Sequence, residues 1–163
     1  MRKELNNYAF IDSQNLNLGI LELGWKLDFR KFTIYLKEKY GVSKAYLFIG
    51  YLPENQDMYR SLQEYGYLLV FKPVLKNKDG AVKGNVDADL VLRAMIDFDK
   101  YDKAVIVTSD GDFYCLVKYL YNKEKLAKVL SPSHKNCSIL LTRAAKEKII
   151  FMDNLRAKLE YRK

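Results

Sequence analysis

Three acidic clusters hold the residues best suited to chemistry. Asp12 closes the apolar run Tyr8 to Ile11, and Asp110 and Asp112 follow a second run, Ala104 to Thr108. Asp87 and Asp89 open a long apolar stretch between the two. Carboxylates gathered in one place repel one another and are stable together only around a cation. Oxygen donors with no His or Cys among them select Mg²⁺ or Mn²⁺ over zinc. An ion of that kind activates water, holds a phosphate oxygen and neutralises the charge that develops as a phosphodiester breaks.

The clusters can act together only if the fold brings them to one edge. Short apolar runs alternate with longer amphipathic stretches, the pattern of an α/β fold with a mostly parallel sheet. Strands are expected at Tyr8 to Ile11, Lys44 to Tyr51, Tyr67 to Val74, Ala104 to Thr108, Lys128 to Leu130 and Ile149 to Met152. Pro73 sends the third of these to an edge. A helix should start on the N-cap Asp28 and stop at Gly41, and another should run from Gln56 to Tyr65. Val86 to Phe98 reads as a helix buried on nearly every side, and Phe113 to Tyr121 as a further helix. Thr142 to Lys146 suits a helical turn and Asn154 to Tyr161 a closing helix, while Asp79-Gly80 marks a tight turn. No repeat or linker interrupts the chain, so residues 1–163 read as a single domain. In open α/β sheets ligands bind beyond the carboxyl ends of the strands. If the strands bearing Asp12 and Asp110 are neighbours, their carboxylates converge there.

Composition narrows the function classes. The chain has 163 residues, 28 basic and 20 acidic, for a net charge of +8. Setting Asp12, Asp87, Asp110 and Asp112 aside leaves 28 positive against 16 negative, or +12, a basic remainder around an acidic centre. A metal-dependent nuclease requires that pairing, because the basic surface binds the polyanion that the acidic pocket cuts. No apolar run is long enough to span a bilayer, and Met1 to Tyr8 lacks the apolar core of a signal peptide. With only Cys115 and Cys137, a disulfide framework is excluded and a reducing, cytoplasmic location is expected.

Three segments resemble the motifs of the NYN domain family, the branch of the PIN-like nucleases that includes the LabA-like proteins. Phe10-Ile11-Asp12-Ser13-Gln14-Asn15-Leu16 is similar to the first motif, and Lys83-Gly84-Asn85-Val86-Asp87-Ala88-Asp89-Leu90 to the central one. Thr108-Ser109-Asp110-Gly111-Asp112-Phe113 resembles the third, where Ser-Gly-Asp-Gly-Asp-Phe is common. Ser109 directly before Asp110 replaces the usual Ser-Gly pair, and Ser13 stands where Gly is common; neither change removes an acidic residue. The resemblance implies a Rossmannoid PIN-like fold and Mg²⁺- or Mn²⁺-dependent hydrolysis of RNA. It implies Asp12, Asp87, Asp110 and Asp112 as catalytic, metal-binding residues, with Asn15 orienting Asp12 or a water. Lys83 belongs to the matched motif and joins Lys72, Lys76 and Lys78 as a candidate phosphate contact. Ser109 and Tyr114 complete the candidate substrate-binding set, Tyr114 as a base-stacking residue. Relatives of this kind often pair, so a homodimer is an expected assembly.

Plainer readings stand beside these. An Asp after a strand commonly caps a helix, and Asp89, four residues before Arg93, suits a helix-face ion pair. His134 reads as a surface residue, Trp25 as a packing anchor, and Cys115 and Cys137 as core residues. Two other functions compete with the ribonuclease. The same fold could serve as a catalytically silent RNA- or DNA-binding module. A phosphoryl-accepting receiver would need an Asp at the end of a middle strand, where Tyr51-Leu52-Pro53 stands instead.

Overall fold

The computed structural model describes residues 4–76, 82–83 and 86–163. β1 (Asn7–Asp12) leads into α1 (Ser13–Glu22) and α2 (Phe29–Tyr40), and β2 (Val42–Tyr51) into α3 (Gln56–Glu64). β3 (Leu68–Pro73) is followed by an antiparallel pair, β4 (Leu75–Lys76) and β5 (Val82–Lys83), and then by α4 (Asp87–Ile96). The second half runs β6 (Ala104–Val107), α5 (Tyr114–Asn122), β7 (Leu126–Ser131), α6 (Ile139–Ala145), β8 (Ile149–Phe151) and α7 (Arg156–Leu159).

Six strands form one parallel sheet in the order β3-β2-β1-β6-β7-β8. The central strands β1 and β6 are buried along their whole length, which explains their unbroken apolar sequence. Alternate residues serve opposite faces. Ala9, Ile11, Val105 and Val107 pack with Leu16, Ile20, Phe32, Leu36 and Leu62 from α1, α2 and α3 and with Leu159 from α7. Phe10, Phe48, Ile106 and Val129 pack with Leu90, Ala94, Leu116, Leu120 and Leu141 from α4, α5 and α6. Each large apolar side chain buried in this way contributes about 1.5–3 kcal/mol. Between β1 and β6 the strand order reverses: the chain builds outward to β3, then returns to the other side of β1. Such a reversal opens a crevice at the carboxyl ends of the strands.

The sheet, the edge position of β3 and most helices follow the sequence expectations. α2 starts on Asp28, whose carboxylate accepts from the Lys31 amide at 3.1 Å, and ends at Gly41 with φ +63°. That left-handed residue lets the Gly41 amide donate to the carbonyls of Leu36 and Lys37.

Three expectations need correcting, and one helix adds to them. α1 lies where the sequence marks only a capping residue, because the buried stripe within it is narrow: Ser13, Leu16 and Ile20 face inward while Leu18 and Leu21 are exposed. α4 is not buried all round, since Leu90 and Ala94 face the sheet and Leu92 and Ile96 are 59% and 55% exposed. The closing helix is the single turn α7. Cys115 is exposed, because Leu116, Val117 and Leu120 form the inward stripe of α5. The Asp79-Gly80 turn lies outside the described residues. Among those described, no helix is long and apolar enough to cross a membrane.

Candidate metal centre

Asp12 is the last residue of β1 and also the N-cap of α1, in extended backbone at φ −79° and ψ 96°. Strand end and helix start therefore coincide, and the carboxylate is held at the mouth of the crevice. One of its oxygens accepts from the Asn15 amide at 3.4 Å and the other from the Thr108 hydroxyl at 3.3 Å. The Thr108 hydroxyl also accepts from the Asp110 amide at 3.1 Å, so this one fully buried group links both acids. Asp110 caps the turn after β6, its carboxylate accepting from the Asp112 amide at 2.9 Å. Asp87 opens α4, where the helix's unpaired amides favour negative charge.

These elements bring three acids together. One carboxylate oxygen from each of Asp12, Asp87 and Asp110 lies within 4.8 Å of the other two. Asp12 is buried and its two partners are half-buried. At that spacing, and at the effective dielectric of about 20 usual near a protein surface, each ionised pair repels by roughly 3 kcal/mol. Asp12 registers the effect: burial chiefly, with the charges of Asp87 and Asp110 added, lifts its carboxyl from about 3.8 to about 6. The bonds from Asn15 and Thr108 pull the other way.

The residues fit a hard divalent cation. One oxygen from each acid within 4.8 Å of the other two is close enough for a single cation to be shared among them. All three donors are carboxylates, with no His or Cys among them, so a hard cation suits the cluster better than zinc.

The other candidates sit around this group. Asp112 is exposed and outside the three-acid cluster, contributing its amide to Asp110. Asp89 pairs with Lys72 of β3 at 3.6 Å, while Arg93 pairs with Asp97 at 3.9 Å, so the expected Asp89–Arg93 pair is not the one formed. The side-chain oxygen of Asn15 accepts from both the amide and the hydroxyl of Ser109, at 2.8 and 3.0 Å. Asn15 and Ser109 thus hold each other, and their bond ties the start of α1 to the loop after β6. Tyr114 is exposed at the start of α5. Lys83 lies on β5 opposite Leu75; its side chain and the Gly84-Asn85 step lie outside the described residues. His134 is exposed and Trp25 buried, as expected.

Two contributors carried no role in the sequence reading. Thr108 is visible only as a hydroxyl at a strand end. Ser138 caps α6, and its amide donates to the Ser109 carbonyl at 3.1 Å. Gly111 lies so close to Ser138 that a β-carbon there would collide with it. A glycine followed far downstream by a serine gives no sign of that contact.

The NYN domain family model matches residues 8–153. A crystal structure of a protein of unknown function from Vibrio parahaemolyticus shares the fold, with a TM-score of 0.78 and 22% identity over 98% of this chain and 99% of that one. A PLP-bound chain from Clostridium difficile aligns at a TM-score of only 0.35 and 11% identity, over 89% of this chain and 45% of that one. No curated protein matches the chain.

Proposed function

Since the chain belongs to the NYN domain family of PIN-like nucleases, we propose that it is a ribonuclease that hydrolyses phosphodiester bonds with Mg²⁺ or Mn²⁺. The observation that carries this reading is the convergence of Asp12, Asp87 and Asp110 on one crevice at the strand-order reversal. These three acids would hold the ion. When bound there, the cation supplies charge neutralisation for the phosphate and activation of the attacking water. Asp112, exposed beside Asp110, would add a fourth carboxylate to the acidic site. Asn15, Ser109 and Thr108 keep the loop after β6 in register with Asp12, so that the acids stay aimed at one point. The basic remainder of the chain, with Lys83 among its candidates, attracts the polyanion.

The test is cleavage of a mixed RNA panel by purified protein in Mg²⁺ or Mn²⁺. Wild type cuts, EDTA stops it, and Asp12→Asn and Asp110→Asn do not cut. Wild type and both variants equally inert in every metal would sink the enzyme reading; steeply salt-dependent binding without cleavage would identify a silent nucleic-acid-binding module.

A further inference from the structure

A groove of about 220 Å³ runs between α5 and α6, lined by Tyr114, Lys118 and Tyr121 on one side and Leu140, Arg143 and Lys146 on the other. Its position follows from the site. α5 begins two residues after Asp112, and the Ser138 cap of α6 is bonded to Ser109 and pressed against Gly111. The Tyr114 end of the groove therefore lies beside the loop that carries Asp110, and the groove leads away from that loop along α5. Tyr114, Lys118 and Tyr121 share one helical face, and seven residues at about 1.5 Å each carry it roughly 10 Å.

Its chemistry is cationic and aromatic. Lys118, Arg143 and Lys146 line it, and among the described residues no acidic side chain does. The carboxylate of Glu147, next in sequence to Lys146, accepts from the Tyr121 hydroxyl at 2.9 Å. Lys146 sits at φ +53° and ψ −123°, a sparsely populated backbone region that persists only where surroundings over-determine it. There its ammonium lies 4.8 Å above the Tyr121 ring. Tyr121 is thus a support for Lys146, whereas Tyr114 leaves 40% of its surface open at the end nearest the cluster.

We propose that this groove receives single-stranded RNA flanking the cleaved phosphate, with Tyr114 stacking on a base and Lys118, Arg143 and Lys146 holding phosphates. The proposal rests on the nucleic-acid reading above and adds a strand preference to it. An exposed ring flanked by cations suits unpaired bases, whose faces are free, whereas a duplex keeps its bases stacked on each other.

The experiment is fluorescence anisotropy in EDTA, using a labelled 12-nucleotide RNA and the same strand annealed to its complement. Single strands should bind more tightly than duplex. Tyr114→Ala should weaken single-strand binding roughly 5- to 150-fold, the loss of one stacked base. The pair Lys118→Glu and Arg143→Glu should weaken it further and flatten its salt dependence. Lys37→Glu with Lys39→Glu on α2, behind the opposite face of the sheet, should bind as wild type does. Groove variants that bind like wild type, equal affinity for duplex, or no RNA binding at all would each overturn the proposal. Metal-dependent cleavage lost in Asp12→Asn but untouched by groove substitutions would remove the groove and leave the nuclease. Groove-dependent binding without cleavage in any metal would do the reverse.

Discussion

Asn15 and Ser109 are 94 positions apart in the chain, yet one side-chain oxygen of Asn15 accepts both polar hydrogens of Ser109, at 2.8 and 3.0 Å. That contact fastens the helix that Asp12 caps to the loop that carries Asp110. Asn15→Ala removes the acceptor and leaves a half-buried amide without its partner, which costs about 1–3 kcal/mol. A melting curve should show a drop of several degrees for a chain of this size. Cleavage should fall mainly in kcat, because the acids lose alignment while the basic surface is unchanged. Asn15→Asp keeps the acceptor, so it should melt closer to wild type in Mg²⁺ than in EDTA, where it adds a carboxylate to a crowded site.

The raised Asp12 carboxyl makes stability depend on pH. In the folded chain it holds its proton up to about pH 6, whereas unfolded it releases it near 3.8. Between these values the folded state binds more protons, so its stability falls as pH rises through the window. The full loss is roughly 3 kcal/mol in the absence of metal. Wild type minus Asp12→Asn isolates the effect in EDTA melts from pH 4 to pH 7. Mg²⁺ or Mn²⁺ should reverse the trend, since the ion needs the ionised carboxylate and stabilises most above pH 6.

Thr108→Val tests the buried hydroxyl that links the two acids. Valine fills nearly the same space but neither donates to Asp12 nor accepts from the Asp110 amide. Asp12 loses a bond that lowers its carboxyl, so the acid limb of the cleavage–pH profile should move to higher pH. The orphaned amide adds a stability loss of about 1–3 kcal/mol. Thr108→Ser, which keeps the hydroxyl, should restore the wild-type profile.

The sheet was legible because β1 and β6 are buried on both faces and read as continuous apolar runs. Asp12 and Asp110 were legible for a related reason: each stands at the carboxyl end of such a run. Asp87 was visible as an acid at a helix start, but that it reaches the other two depends on how α4 crosses the crevice. α1 was hidden because Asp12 serves as strand end and helix cap at once, with few buried residues behind it. Asp112 shares a motif with Asp110 but not its position, since backbone geometry spends the Asp112 amide on Asp110 and leaves its side chain at the surface. The basic groove was beyond reading, because Lys118, Arg143 and Lys146 come together only when α6 docks beside α5.

Gly111 lets Ser138 at the start of α6 approach closely, which gives the last prediction. Its φ is ordinary, so backbone freedom is not the reason for glycine; the reason is the side chain of Ser138 against its Cα. In Gly111→Ala either Ser138 or the loop must move, and overpacking of this kind costs about 1–3 kcal/mol. Because Ser138 caps α6 and bonds to Ser109, the displacement should reach both the groove and the acid-bearing loop. Single-strand RNA binding in EDTA and metal-dependent cleavage should therefore fall together. Adding Ser138→Gly removes the colliding atoms and should recover part of both, despite the loss of the α6 cap. Full stability and activity in Gly111→Ala alone would show that the loop yields freely, and that α6 is not held at the site by this contact.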